Sequence, residues 1–558
     1  MKKVLLLSLL GSTAAMAQVS APLVSEPAFF ATSEPIEQMA MRAQASAFAV
    51  RDFRIQRNHD IDKQMHSARA ALAREVSPSV SISAPAPFLQ TATYQALGAP
   101  VGANFEGLGL GTPGYSVNVA PPDTTLAVSP TQVVQWVNSH LAVYDKSGNK
   151  LLPSPGFVAG NTIWANLGSG SLCATTNRGD PIVQYDRINQ RWILSQFAFN
   201  TGFTQNSQCI AVSQTSNAAG AYYLYEYSFG NVLPDYGKLG VWTDGYYITY
   251  NMFTTGSSFA GGRACAYDGA KMRAGQAASQ ICFNNTSRFS YLPSDLDGTT
   301  LPPAGTPNVH ISWDWAFLAA PPYTVQLTKF KPDFVTPANS KFDDGFGGAT
   351  GSFVGIALDN GTLAACGDNG NNCVPQLGTS QLLDTLGSRH MYRLVYSNFG
   401  SYDALLITQA VDASATANEA QVRWMEIRNP AANPPVVYQN STFRPNGTMR
   451  WMSSAAFDKL GNIGIGYSAS SSSMNPAINV TGRRRTDAKN ILRAEQVVFA
   501  GTGSQGVTRT LSRWGDYSTM QIDPADECTF WYTTQYIATT GTFNWNTRIA
   551  SFKFPNCQ

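Results

Sequence analysis

One frame recurs along this chain and restricts what it can fold into: a small polar lead-in, a short apolar run, an Asp-led turn, an aromatic-rich run, then a loop. It is clearest in RWGDYSTMQIDPADECTFWYTTQY, Arg513 to Tyr536. It returns as PPDTTLAVSPTQVVQWVNS from Pro121, GDPIVQYDRINQRWILSQF from Gly179, YGKLGVWTDGYYITYNMF from Tyr236 and RWMSSAAFDKLGNIGIGYS from Arg450. A looser copy, HMYRLVYSNFGSYDALLITQ from His390, begins with bases instead of an acid. Runs of β-branched and aromatic residues bounded by Asp, Pro, Asn and Gly are strand pairs joined by tight turns. Where the spacing is clear it is roughly 55 to 60 residues, somewhat above that of a short-looped propeller blade. The unit from Gly179 shows its strands as PIVQYD, RWILSQF, QCIAVSQ and YYLYEYSF. Amphipathic helical spacing is hard to find after Pro121, and the coils of a parallel β-helix are much shorter than these units. The expected fold is therefore all-β: a β-propeller of six to eight four-stranded blades, with seven the best fit, preceded by a helical arm and linker.

Residues 1–17 carry two lysines, the apolar core LLLSLL and a small-residue end, the pattern of a cleaved secretory signal. No later apolar run approaches the length needed to span a bilayer, so a secreted monomer, extracellular or periplasmic, is expected. Residues 18–100 differ from the rest. Ile36 to Val76 is rich in Ala, Gln, Met, Arg and Glu and reads as a helical arm, and Ser77 to Pro100 reads as a Pro, Ser and Ala-rich linker. This region is either a spacer or a removable pro-segment lying over the propeller formed by residues 101–558. Charged residues make up 13% of the chain and the net charge is +2, a balance that argues against nucleic acid as a partner. The one basic run, Arg483 to Arg485, reads as a solvated loop tip. Eight cysteines fit an oxidising compartment, and their placement pairs Cys173 with Cys209, Cys265 with Cys282, Cys366 with Cys373 and Cys528 with Cys557. The last pair would hold the place where the ring closes.

Several motifs fail on context. The GxGxxG matches at Gly109 and Gly501 are not followed by a helix, as a dinucleotide site requires. There is no HExxH, GxSxG or CxxC, and His140 sits in a strand, where a core or channel-lining role is expected. No cofactor is expected. Asp295-Leu-Asp297-Gly298 and the loop from Cys366 to Cys373 are oxygen-rich and suit structural calcium, though ordinary turn chemistry explains both and neither is a full calcium loop. The better signal is the set of leading acids, Asp123, Asp180 and Asp516, which occupy the same place before the first strand of their units. The first strand of a propeller blade is innermost, so equivalent lead-in residues converge on the central channel. The same frame brings bases there: Arg178, Lys238, Arg389, Arg393, Arg450 and Arg513. Acids and bases sharing one desolvated funnel have their pKa values pushed apart. The bland alternative is that each acid caps its own turn or pairs with a neighbouring Arg.

The units GDPIVQYDRINQRWILSQF and RWGDYSTMQIDPADECTFWYTTQY resemble a family of secreted bacterial sialidase-like β-propellers without an assigned reaction, over roughly Pro121 to Pro555. The resemblance implies the propeller and no particular chemistry. Clean Asp-box repeats of true sialidases are missing, Ser294 to Thr300 being out of register, and their arginine triad and Tyr-Glu pair do not map residue by residue onto this chain, so sialic acid is not implied.

The function expected from these residues is a carbohydrate-active enzyme, a glycoside hydrolase or polysaccharide lyase working in the funnel. Asp123, Asp180 and Asp516 would supply the catalytic carboxylates, and Arg178, Lys238, Arg393, Arg450 and Arg513 would hold acidic groups of a polysaccharide or glycan. Trp514, with Trp136, Trp242, Trp313 and Trp315, would offer stacking platforms. A non-catalytic adhesion propeller is the alternative, and a peptidase or other hydrolase a further one. The loops Pro302–Pro307 and Asp343–Gly351 would serve as a lid or wall.

Overall fold

The computed structural model describes residues 21–45, 78–117, 119–254, 258–286, 288–314, 324–358, 363–366, 372–413, 418–506 and 511–558. The expected signal and residues 46–76 of the expected arm lie outside them. The described chain is nearly all strand, arranged in many sheets of four or five strands. Each sheet is a run of consecutive antiparallel hairpins. Ile182–Asp186, Arg191–Phe199, Asn206–Ser213 and Tyr222–Gly230 form one, matching the four runs legible in the sequence.

The first strands of the sheets define an axis. Thr125–Val128, Ile182–Asp186, Val232–Val241, Leu292–Asp297, His390–Asn398, Met449–Phe457 and Thr519–Ile522 each lie against the next, and the last lies against the first. That closed order is the radial plan of a β-propeller. Two of these inner strands are also paired directly. Leu292 and Pro293 belong to their own hairpin, but Ser294–Asp297 run parallel to Leu394–Ser397, fusing two sheets at the axis. Sheet faces pack closely where small residues permit. A Cβ on Gly464 would meet the Phe530 ring at 2.7 Å and one on Gly466 the Tyr532 ring at 2.6 Å, so the glycines in GNIGIGYS let the final sheet press onto its neighbour.

Closure uses both ends of the propeller region. Val101–Glu106 pairs antiparallel with Trp545–Lys553 and completes the sheet begun by Thr519–Ile522. Cys528 and Cys557 are bridged, as are Cys173 and Cys209, Cys265 and Cys282, and Cys366 and Cys373, the four pairs expected from placement.

The region before the propeller is more than an arm and a linker. Its described helix is Ile36–Ala45, but Leu23–Ser25, Phe29–Thr32, Val80–Ser83 and Phe88–Gln90 are strands laid on the outer edges of four sheets. Ala96 adds a single bridge to Ala494 on a fifth. An outer strand without a partner exposes a row of unpaired amide and carbonyl groups, and these short runs satisfy them. The expectation that the loops Pro302–Pro307 and Asp343–Gly351 wall the funnel also fails. They connect first to second and third to fourth strands, which puts both at the end of the sheet opposite the lead-in residues.

Replacing Cys528 and Cys557 together with Ser should lower stability by about 2–5 kcal/mol, read as an earlier thermal or denaturant midpoint. An unchanged midpoint would mean that the bridge does not secure the closure.

Candidate functional site

The backbone marks the place where the inner strands begin. Asp123, Asp180, Tyr236, Ser290, Met452 and Asp516 all have positive φ, 47°, 48°, 56°, 45°, 50° and 24°, each at the same step of its unit. Left-handed backbone is uncommon outside glycine and costly for a bulky side chain. In the strands that begin earlier the pairing register shifts here, between Asp235 and Lys238 and between Trp451 and Ser454. A bulge of this kind re-aims a side chain.

The result is one cluster. Lys238 is wholly buried; burial pushes its pKa down to about 7, and the carboxylates of Asp180, Asp516 and Asp123, which favour the ammonium, offset that only in part. Tyr236 also feels all three acids, together with Arg389. Its ring lies 3.4 Å beneath Lys238 Nζ and 4.6 Å from the Arg389 guanidinium, and Tyr517 presents a second face to Lys238 at 4.2 Å. The Tyr236 hydroxyl donates to the Asp516 carbonyl, 3.3 Å, and that of Tyr517 to the Pro181 carbonyl, 3.0 Å. Arg513 pairs with Asp516. Six charged groups from five units therefore meet at one end of the axis: Asp123, Asp180 and Asp516 against Lys238, Arg389 and Arg513.

Below it the channel is filled. Arg393 donates from Nε to Asp295, 2.5 Å, from both terminal nitrogens to Asp297, 3.1 and 2.8 Å, and to the Met520 carbonyl, 3.1 Å. Gln184 donates to Asp295, 2.6 Å, and accepts from Gln521, 2.8 Å; Arg187 adds a second cation to Asp297, 2.8 Å. Burial raises the pKa of Asp295 and Arg393 opposes it. This network is the floor of the site.

Three residues expected to bind substrate are thereby reassigned. Arg393 is committed to the floor. Arg450 is fully buried and chelates Glu495 at 2.9 and 2.6 Å. Trp514 packs in the core against Trp451 and donates to Ser468, 3.0 Å. Trp136 and Trp242 are likewise core, stacked on Trp164 or bonded to the Thr306 carbonyl. The side chains of Trp313 and Trp315 lie outside the described residues. The Asp295 carboxylate accepts from Arg393, Gln184 and the Val241 amide, and that of Asp297 from Arg393 and Arg187; Asp368 to Asn371 of the second loop lie outside the described residues. His140 is hydrogen-bonded through Nδ1 to Ser139 Oγ, 2.9 Å, and packs between Tyr115 and Phe157, burial pushing its pKa down to about 4.

Arg178 stands apart from the buried cluster. It is half-buried, its Nε donates to the Phe199 carbonyl, 3.0 Å, and its guanidinium lies 4.9 Å over the Phe199 ring. Phe197, Phe199 and the half-buried Phe203 stack in sequence at 5.2 and 4.8 Å, in an apolar cluster with Leu233 and Phe253; of these only Phe203 is partly exposed. This stack went unread in the sequence because FAFNTGF scans as a strand end and its turn. Tyr236 could have been found, since it fills the position that Asp fills in other copies of the frame.

No family model and no curated protein matches the chain. Among solved structures it is similar to an α-L-arabinofuranosidase of Fusarium graminearum crystallised with an iminosugar inhibitor: TM-score 0.33, 8% identity, covering 85% of this chain and 99% of that one. It is similar to an α-L-arabinanase of Penicillium chrysogenum with arabinobiose, TM-score 0.32, 8% identity, 69% and 98% covered. An ulvan lyase follows at TM-score 0.25 and 10% identity, 78% and 81% covered. Likeness this loose says nothing of the reaction.

Replacing Arg393 with Met would strand two buried carboxylates, a change expected to cost about 3–5 kcal/mol. Denaturant unfolding measures it. A loss under about 1 kcal/mol would show that the network does not hold the ring together.

Proposed function

We propose that the chain is an exported carbohydrate-active enzyme, a glycoside hydrolase or polysaccharide lyase, acting at the lead-in end of a seven-bladed propeller. The observation that carries this reading is the meeting of Asp123, Asp180 and Asp516 with Lys238 above a sealed floor. A purely structural blade needs no carboxylate there, and like charges gathered out of water are a cost that function has to justify.

For hydrolysis, two of the three carboxylates have to flank the bond, about 5–5.5 Å apart for retention or about 6.5–9.5 Å for inversion. One would have to hold a proton for the leaving oxygen while another attacks the sugar or activates water. Lys238, losing its proton near pH 7, couples to the acids, so the cluster keeps an exchangeable proton at neutral pH. Arg178 and the partly exposed Phe203 would take the adjoining sugar, in place of the tryptophans.

The same titration favours a second reading, the lyase. A neutral Lys238 amine can remove the proton beside a uronate carboxylate, with Arg389 and Arg513 neutralising that carboxylate. His140 is not available for this, being locked in an aromatic pocket.

A panel of neutral and uronate-bearing polysaccharides separates the two: new reducing ends alone report hydrolysis, and absorbance from an unsaturated uronate reports elimination. Asp123→Asn, Asp180→Asn and Asp516→Asn should be assayed beside the wild type. Loss of the general acid or base costs about 10²–10⁴-fold, so at least two of the variants should fall by that much with their folds intact. Binding without turnover, equal in all four proteins, would leave a non-catalytic adhesion propeller.

A further inference from the structure

We infer that the opposite face of the ring carries a second site, for an acidic glycan bearing carboxylate or sulfate groups. The site lies where two third strands end, at Arg428 and Arg483, beside the turn that holds Tyr402. Each sheet runs away from its lead-in residue along the first strand and again along the third. These residues are therefore on the far side of the molecule from Asp123, Asp180 and Asp516.

The basic run Arg483 to Arg485, read from sequence as a loop tip, is built into a patch. The Arg428 guanidinium lies 3.8 Å from the Tyr402 ring and 3.2 Å from the Tyr438 ring. Lys489 Nζ lies over the same Tyr438 ring at 3.7 Å, and Arg485 lies over Tyr402 at 5.8 Å. Arg483 is almost fully buried; its Nη2 donates to the Asp487 carbonyl, 2.7 Å, and its Nε has no hydrogen-bond partner among the described residues. Burial lowers its pKa, which Glu426 and Asp487 oppose and Arg428 slightly reinforces.

Carboxylates do not balance the patch. Glu426 pairs with Arg428, 2.6 Å, and Asp487 is taken by Arg493, 2.7 Å; Asp403 accepts from the Tyr396 hydroxyl, 2.8 Å. Arg483, Arg485 and Lys489 make no ion pair among the described residues. Two tyrosine faces thus hold several cations in fixed positions, and the repulsion among them is relieved when an anion arrives. Fixed guanidinium groups accept carboxylate or sulfate in forked geometry. The tyrosine faces are already covered by cations, so recognition would rest on charge more than on ring stacking.

The test is binding of polygalacturonate, dextran sulfate and uncharged dextran to the whole protein, measured by calorimetry with and without added salt. Arg485 and Lys489 are exposed, so Arg485→Ala with Lys489→Ala should leave the thermal midpoint unchanged. Wild type is expected to bind both polyanions and not dextran, more weakly in salt, and the double variant to lose at least 10-fold in affinity. Dextran sulfate carries no uronate for the proposed catalytic site to act on, so its binding reports on this face, and failure of the proposed catalytic site would not be mistaken for failure of this one. Equal affinity in wild type and the double variant would overturn the proposal. So would binding to phosphatidylglycerol vesicles without binding to either polyanion, which would make the patch a membrane contact.

Discussion

Arg393 sits on the axis of the ring and ties three sheets to one another. Its guanidinium reaches Asp295 and Asp297 on one inner strand and the Met520 carbonyl on another, while it extends from a third. An inner strand in a ring of sheets has to turn polar edges and side chains toward a channel too narrow for bulk water. A planar cation with forked donors satisfies several of them at once. This buried network lies beneath the lead-in end, where burial outweighs the attraction of the nearby carboxylates and brings Lys238 to a pKa of about 7.

The outer rim meets the converse demand. Each sheet ends in an edge strand, and the segments before residue 107 cover most of those edges with short strands, a bridge or the closing strand Val101–Glu106. The chain therefore satisfies its sheets twice, with charged side chains at the axis and with its own leading segment at the rim. The acids, Lys238 and the floor belong to inner strands, which leaves the faces free to differ: one carries the leading acids, the other the Tyr402 and Tyr438 cation patch.

Much of this was legible because the frame repeats. Asp-led turns and aromatic runs located the strands, the position of each acid before its first strand placed Asp123, Asp180 and Asp516 at one end of the axis, and neighbouring cysteines gave the disulfides. What escaped had specific causes. Arg393 and Arg450 lie near the start of their units' first strands, as Lys238 does, and only three-dimensional packing reveals that Asp295 with Asp297, and Glu495, lie within reach of them. Trp514 follows Arg513 directly, yet strand alternation turns it into the core. Leu23–Ser25 and Val80–Ser83 are too short to stand out from polar, Pro-rich surroundings, because a strand added to an existing edge needs little pattern of its own. The Tyr402 and Tyr438 patch joins a turn residue, an outer-strand residue and the ends of two third strands, and no local spacing records it.

The central claim is that Asp123, Asp180, Asp516 and Lys238 form one buried, electrostatically coupled group. NMR titration of the lysine side-chain methylene next to nitrogen, assigned with Lys238→Met, tests it directly. Burial disfavours the ammonium and the acids favour it, so Lys238 should titrate near pH 7 in the wild type. Removing a negative charge with Asp180→Asn should move that midpoint lower still. A Lys238 midpoint near the ordinary value for lysine, unmoved by Asp180→Asn, would contradict the account.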